Sequence, residues 1–232
     1  MPRATLILLA AVFLAACGGT PSPYPPPREL AQAPRERQEF VEAFLQGRWC
    51  EAEMLFARSL DGFLRADDVC AAAYTHFLAY RLKGFAGEND QAALAAARRY
   101  QAMGLGCPEL PGIPGLSTAP DAGLPPKDRR YLELIEAGDY ARLGRELGTE
   151  PDALYASVYG RKAARAALAA GLSADAAMLI GLARDIDARQ GWVVFLVNDW
   201  TFRRELSTDP VEREAMAARI TELQKRIIPC GQ

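Results

Sequence analysis

A short junction built around glycine occurs four times along the chain and limits what it can fold into. The copies begin at Gly47, Gly87, Gly138 and Gly171, and each has an aromatic or polar residue two positions later. A small or apolar residue follows three positions after that. Glycine permits a tight turn between helices, and a small residue lets paired helices approach closely. The junction therefore predicts antiparallel helix pairs.

The prolines divide the chain into helical and non-helical parts. Twelve of the sixteen fall within residues 18–34 and 108–126. Because proline lacks an N–H group and fixes φ, we expect no helix in either segment. The first would be a semi-rigid stalk, and the second a linker between two helical halves or a long surface loop. Helices are predicted at 35–46, 49–65, 68–83, 89–104, 128–137, 139–147, 151–170, 173–189, 191–206 and 210–227.

The junction, with further core positions four and seven residues beyond its small residue, resembles the tetratricopeptide repeat. The fourth copy matches best, with Ala163, Ala164 and Ala167 facing Ala176, Ile180 and Ala183. The resemblance covers residues 35–190 and implies stacked helix pairs with a concave, peptide-binding groove. We therefore expect an all-α fold of antiparallel helix pairs, stacked as a tetratricopeptide-like solenoid or packed as an irregular helical bundle.

The N-terminal residues indicate export. Arg3 is followed by an apolar run over residues 6–13, which is too short to span a bilayer, and then by Leu14-Ala15-Ala16-Cys17. This pattern resembles the lipobox of bacterial lipoproteins and implies cleavage after Ala16 and lipidation of Cys17. The chain is thus divided into a signal peptide (1–16), a lipidated linker (17–34), an N-terminal helical region (35–107), a Pro/Gly-rich segment (108–126) and a C-terminal helical region (127–232).

The residue after the lipidated cysteine bears on location. In such lipoproteins an Asp at this position commonly signals retention in the inner membrane, and here it is Gly18. The resemblance therefore implies an outer-membrane protein whose body faces the periplasm, with the membrane as a partner through the lipid anchor.

Four further cysteines are compatible with two disulfides in an exported protein. Cys70 opens one predicted helix and Cys107 follows the end of its partner. Antiparallel packing brings these two ends to the same side, which predicts a Cys70–Cys107 bond and leaves Cys50 and Cys230 as a second pair. The alternative is a set of separate buried thiols.

The sequence offers little catalytic chemistry. It has no Gly-x-Ser-x-Gly elbow, P-loop or His-Glu-x-x-His motif, and its only histidine, His76, lies in an apolar stretch typical of a core position. Neither a metal site nor a cofactor is expected, and a net charge of −2 gives no indication of a nucleic-acid partner.

Two groups of residues remain as candidate binding sites. Trp192 and Trp200 lie near three aspartates in the sequence, Asp185, Asp187 and Asp199. The two tryptophans would form an aromatic pocket for a glycan or small ligand, or belong to the core. The aspartates would be the carboxylates of a hydrolase if that pocket were an active site. In the repeat-like arrangement four arginines would face the groove and bind carboxylates: Arg37, Arg81, Arg161 and Arg165. The alternative is that they lie on solvent-exposed helix faces and bind no partner.

These features favour a non-enzymatic protein that acts as a scaffold or adaptor for a protein partner in envelope assembly. The alternatives are a glycan- or small-ligand-binding protein using the aromatic pocket, and an envelope hydrolase. Arg161 and Arg165, one turn apart, are expected to be exposed and to hold an acidic peptide or a terminal carboxylate.

Overall fold

A computed structural model describes residues 25–104, 106–108, 110 and 126–230. Ten α-helices make up most of this part of the chain, which has no strand and a single isolated backbone bridge between Arg48 and Ile228. The all-α prediction is confirmed. The helices are α1 (Arg28–Leu45), α2 (Trp49–Arg65), α3 (Val69–Phe85), α4 (Gln91–Met103), α5 (Pro126–Glu136), α6 (Tyr140–Gly148), α7 (Ala153–Ala169), α8 (Ser173–Gln190), α9 (Val193–Leu206) and α10 (Pro210–Gln224).

Aspartate side chains begin half of these helices. Each accepts hydrogen bonds from the free backbone N–H groups of the first turn, which no residue inside the helix can satisfy. The capping residues are Asp68, Asp90, Asp139, Asp152 and Asp209. At the last of them, the following Pro210 occupies the first helical position as the sequence predicted.

The four junction glycines occupy the left-handed backbone region, with φ of 79° at Gly47, 86° at Gly87, 69° at Gly138 and 77° at Gly171. Residues with a side chain adopt this region at a cost, so the predicted role of these glycines is confirmed. In the second copy the buried small residue is Ala93, whereas Ala92 is exposed, because α4 begins later than predicted.

The first helix begins earlier than the proline content suggested. We expected a linker over 17–34, but α1 starts at Arg28 and contains Pro34 in its interior. The φ of proline fits a helix, but proline inside a helix removes one hydrogen bond and its ring crowds the carbonyl group four residues earlier. Packing holds this turn in place, since Ala33 is fully buried against Phe63 and Ala72.

Consecutive helices pack as pairs, α1 with α2, α3 with α4, α7 with α8 and α9 with α10. The main core includes residues from both sides of segment 108–126, among them Phe44 and Leu82 before it and Phe195 after it. The Asn198 Nδ2 group also donates to the Phe85 carbonyl oxygen over 2.5 Å. The regions 35–107 and 127–232 therefore share one core, while residues 111–125 lie outside the described part.

Both cysteine pairs lie at disulfide distance, as predicted. The Sγ–Sγ distance is 2.04 Å for Cys70–Cys107 and 2.31 Å for Cys50–Cys230. The second pair joins the C-terminal end to the start of α2, where the Ile228 N–H also donates to the Gly47 carbonyl oxygen over 2.8 Å.

Candidate ligand-binding cavity

A cavity of about 400 Å³ lies between α1, α2, α3 and the start of α4. Five ring-bearing residues line it: Phe40, Phe44, Trp49, Phe56 and His76. The helical register explains why they meet. Phe40 and Phe44 are four residues apart on α1, and Trp49 and Phe56 are seven apart on α2, so each pair projects from one helix face.

The rings contact each other in a continuous chain. Phe44 stacks on Trp49 with centroids 5.8 Å apart, and Phe40 lies 5.4 Å from Phe56. Phe56 in turn meets His76 edge-on at 5.2 Å. These contacts fix the shape of the wall, because aromatic pairs favour such edge-to-face and offset arrangements.

His76 is half-buried and contributes a neutral ring. Its other neighbour is Tyr100, which stacks on it with centroids 5.4 Å apart. Burial lowers the pKa of His76 below its usual range, and the nearby charge of Arg99 lowers this pKa further. The sequence placed this histidine at an apolar core position, and the structure places it in the wall of the cavity.

Four charged side chains belong to the lining, one on α2 and three on α3 or between α3 and α4. Lys83 Nζ is 2.9 Å from Asp90 Oδ2, and this hydrogen bond raises the pKa of Lys83 and lowers the pKa of Asp90. Asp90 Oδ1 accepts the Ala93 N–H, so the same carboxylate caps α4. Glu53 and Glu88 are exposed members of the lining, and their charges also raise the pKa of Lys83.

Trp49 adds a hydrogen-bond donor. Its indole Nε1 is buried and has no acceptor among the described residues. A buried donor without an acceptor costs about 1–3 kcal/mol, so an acceptor on a bound group would be favoured if it reached this nitrogen.

The structure corrects the predicted role of Arg161. Its side chain lies in the core rather than in a groove, with an exposed fraction of 7% for the residue. It donates to Asp187 and, over 2.9 Å, to Asp199 Oδ1, and its guanidinium lies 3.7 Å from the centroid of Phe195. Two buried carboxylates on α8 and α9 thus draw the α7 arginine inward, because a buried charge requires a partner.

The two carboxyl groups beside Arg161 both have a raised pKa. Burial is the largest cause of both shifts, the charge of Arg161 opposes it, and the neighbouring Asp187 adds to the rise of the Asp199 pKa to about 8. Asp199 Oδ2 is buried and has no hydrogen-bond partner among the described residues. A pKa of about 8 favours the neutral form of Asp199 near neutral pH, beside the Arg161 cation.

The other three predicted groove arginines lie in separate environments. Arg37 lies over the rings of Phe63 and Tyr74, at 4.9 and 5.1 Å from their centroids. Arg81 is 5.8 Å from the ring centroids of both Phe77 and Phe85. Arg165 is exposed on α7.

The predicted aromatic pocket near Trp192 and Trp200 is not formed as expected. Trp192 is buried against Phe195, at 5.9 Å between ring centroids. Trp200 instead lies among arginines, with guanidinium carbons 4.6–5.4 Å from its ring centroid: Arg184, Arg203 and Arg219. Of the carboxylates considered for a hydrolase, Asp187 and Asp199 have exposed fractions of 0% and cannot face a sugar here.

The predicted lipidation site, Cys17, lies outside the described residues. None of the described helices has the length and apolar character needed to cross a membrane. Comparisons with models of protein families, with curated proteins and with solved structures found no match to this chain.

Proposed function

We propose that this chain is an outer-membrane lipoprotein, facing the periplasm, that binds a small organic ligand without chemically altering it. The observation that carries this function is the aromatic-lined cavity between α1, α2, α3 and α4. Its volume of about 400 Å³ falls within the range of small-molecule sites, which are mostly apolar with a few polar groups.

The location rests on the lipobox-like sequence that ends at Cys17 and on Gly18 after it. Two or more acyl chains on that cysteine would anchor the body stably. Mass spectrometry of the mature N-terminus tests this part separately. An acylated Cys17 at the first position is the expected result, and an unmodified cysteine or a different first residue would contradict it.

Ligand binding can be tested by closing the cavity from its exposed side. Ala92 and Ala95 are both exposed residues of α4, but only Ala92 belongs to the lining. An Ala92→Phe substitution should fill the space, whereas Ala95→Phe adds the same ring to the same helix outside it. The probe is benzyl alcohol, and its binding to the full chain purified from membranes is measured by ligand-observed NMR.

The expected result is saturable binding of benzyl alcohol by wild type and by Ala95→Phe, with at least a tenfold loss in Ala92→Phe. A tenfold loss corresponds to about 1.4 kcal/mol of binding free energy. Equal binding by all three proteins, or none by wild type, would contradict a ligand site in this cavity.

A second candidate is the adaptor function, and the surface around Trp200 favours it. Arg203 and Arg219 contact the Trp200 ring, and neither has an ion pair among the described residues. Arginine and tryptophan are the residue types enriched at the centres of protein interfaces. An acidic patch on an envelope protein would complement this face.

The adaptor function is tested by charge reversal. A double Arg203→Glu, Arg219→Glu variant should lose a partner that wild type retains in pull-downs from solubilised membranes. Arg213→Glu, at an exposed position of α10, the helix that also carries Arg219, is the matched control and should retain the partner. Recovery of the same proteins by all three chains would argue against this face as the interface.

A further inference from the structure

We infer that the ligand of the cavity is an organic cation, an amine or quaternary ammonium compound that carries an apolar or ring-bearing body. This inference rests on the proposed function and names the chemical class of its ligand. Two independent properties of the lining support it, the balance of charges and the type of apolar surface.

The charges of the lining do not cancel. The ionisable members are Glu53, Glu88 and Asp90, which are acidic, and Lys83, which is basic. Lys83 forms its ion pair with Asp90 at 2.9 Å, and neither glutamate forms an ion pair within the lining, although their charges act on Lys83. His76 adds no positive charge near neutral pH, because its pKa is below the usual range. The lining therefore carries a net charge of −2.

One further cation near the cavity lies outside its lining. Arg99, whose charge acts on His76, has its guanidinium carbon 5.0 Å from the centroid of the Tyr100 ring and does not line the cavity. A cationic ligand would thus meet carboxylates on the side of Glu53 and Glu88. An anionic ligand would meet the same two carboxylates with no cation in the lining left to pair with it.

The apolar surface of the cavity suits a cation as well. Four of the lining residues present indole or phenyl rings, and a fifth is a neutral imidazole. An ammonium group over an aromatic face is attracted by the negative charge of the ring surface, and sites for quaternary ammonium ligands commonly combine several such rings. The negative charge of the ring surfaces would not attract a purely aliphatic ligand, and it would not attract a carboxylate.

Three probes of the same size separate charge from shape: benzylammonium, benzyl alcohol and benzoate. Their dissociation constants for the full chain are measured by calorimetry at neutral pH and low ionic strength. Benzylammonium should bind at least tenfold more tightly than benzyl alcohol, and benzoate should bind most weakly. The preference for the cation should shrink as salt is added, because the glutamates are exposed.

Two substitutions then assign the preference to the lining. Glu53→Gln should reduce the affinity for benzylammonium several-fold and leave that for benzyl alcohol unchanged. Glu205→Gln is the matched control, an exposed glutamate on α9 that does not line the cavity, and it should change neither. Circular dichroism of each variant confirms that the fold is retained.

The outcomes distinguish this inference from the function on which it rests. Benzyl alcohol binding as tightly as benzylammonium, with both lost in Ala92→Phe, would overturn the cation inference and leave the ligand site standing. Tighter binding of benzoate would also overturn it. Failure of all three probes to bind would contradict both. A cation preference that survives Glu53→Gln and an added Glu88→Gln would show that the glutamates do not recognise the ligand.

Discussion

Replacement of Arg161 by methionine should strongly destabilise the fold, although no local sequence pattern distinguishes this arginine from an exposed one on the same helix. In the structure it is the only positive charge bonded to the buried Asp187 and Asp199, among the described residues. Methionine keeps much of the apolar stem and removes the charge. The Asp187 carboxylate, with an exposed fraction of 0%, then has no counter-charge.

The size of this effect follows from the burial. Breaking a buried ion pair by removing one partner costs about 3–5 kcal/mol, which is a large part of the total of about 5–15 kcal/mol typical of a folded domain. Arg165, one turn further along α7, is exposed, and the same substitution there should change the free energy of unfolding by less than about 0.5 kcal/mol.

Urea unfolding followed by far-ultraviolet circular dichroism measures both free energies on the intact chain. We expect Arg161→Met to unfold at much lower urea concentration than wild type, or to be unfolded without urea, and Arg165→Met to match wild type. If the two variants had equal stability, the buried arrangement of Arg161 would be refuted, and a solvated arginine of the kind expected from the sequence would be indicated.

Three further predictions concern stability. Because the pKa of Asp199 is raised to about 8 in the folded chain from an ordinary value of 3.8, the free energy of unfolding should fall as pH rises towards that value, by up to about 1.4 kcal/mol per pH unit, and level off above it. The slope should be smaller in pH titrations of Asp199→Asn, and an unchanged slope would contradict the raised pKa. Replacing both Cys70 and Cys107 by alanine, with a sequence separation of 37, should cost about 4 kcal/mol in urea unfolding under oxidising conditions, and no loss relative to wild type would argue against the bond. Gly171→Ala, at φ of 77°, should destabilise by about 1–2 kcal/mol, whereas Gly181→Ala, inside α8 with open space around its Cβ, should stabilise by about 0.5–1 kcal/mol, as compared by thermal unfolding.

Local patterns in the sequence predicted most of the helical architecture. The turn glycines, the Asp209-Pro210 start of α10 and the two cysteine pairs each follow from rules that operate within a few residues or from the order of antiparallel helices. The Pro34 prediction failed because tertiary packing of the surrounding turn outweighs the cost of a proline inside the helix.

The sites were harder to predict because they depend on residues far apart in the chain. Arg161 is buried by carboxylates 26 and 38 positions away, and no local pattern distinguishes it from the exposed Arg165. The aromatic residues of the cavity have helical spacing typical of core. The spacing of Phe40 and Phe44, or of Trp49 and Phe56, does not indicate whether side chains fill the space between the helices or leave it open.

The central claim is that the cavity between α1, α2, α3 and α4 holds a small ligand, and an experimental structure of the full chain with benzylammonium tests it most directly. We expect the ring of the probe among Phe40, Trp49 and Phe56, with its ammonium group directed towards Glu53 or Glu88. A cavity filled by the protein's own side chains, or the probe bound only elsewhere on the chain, would contradict the account.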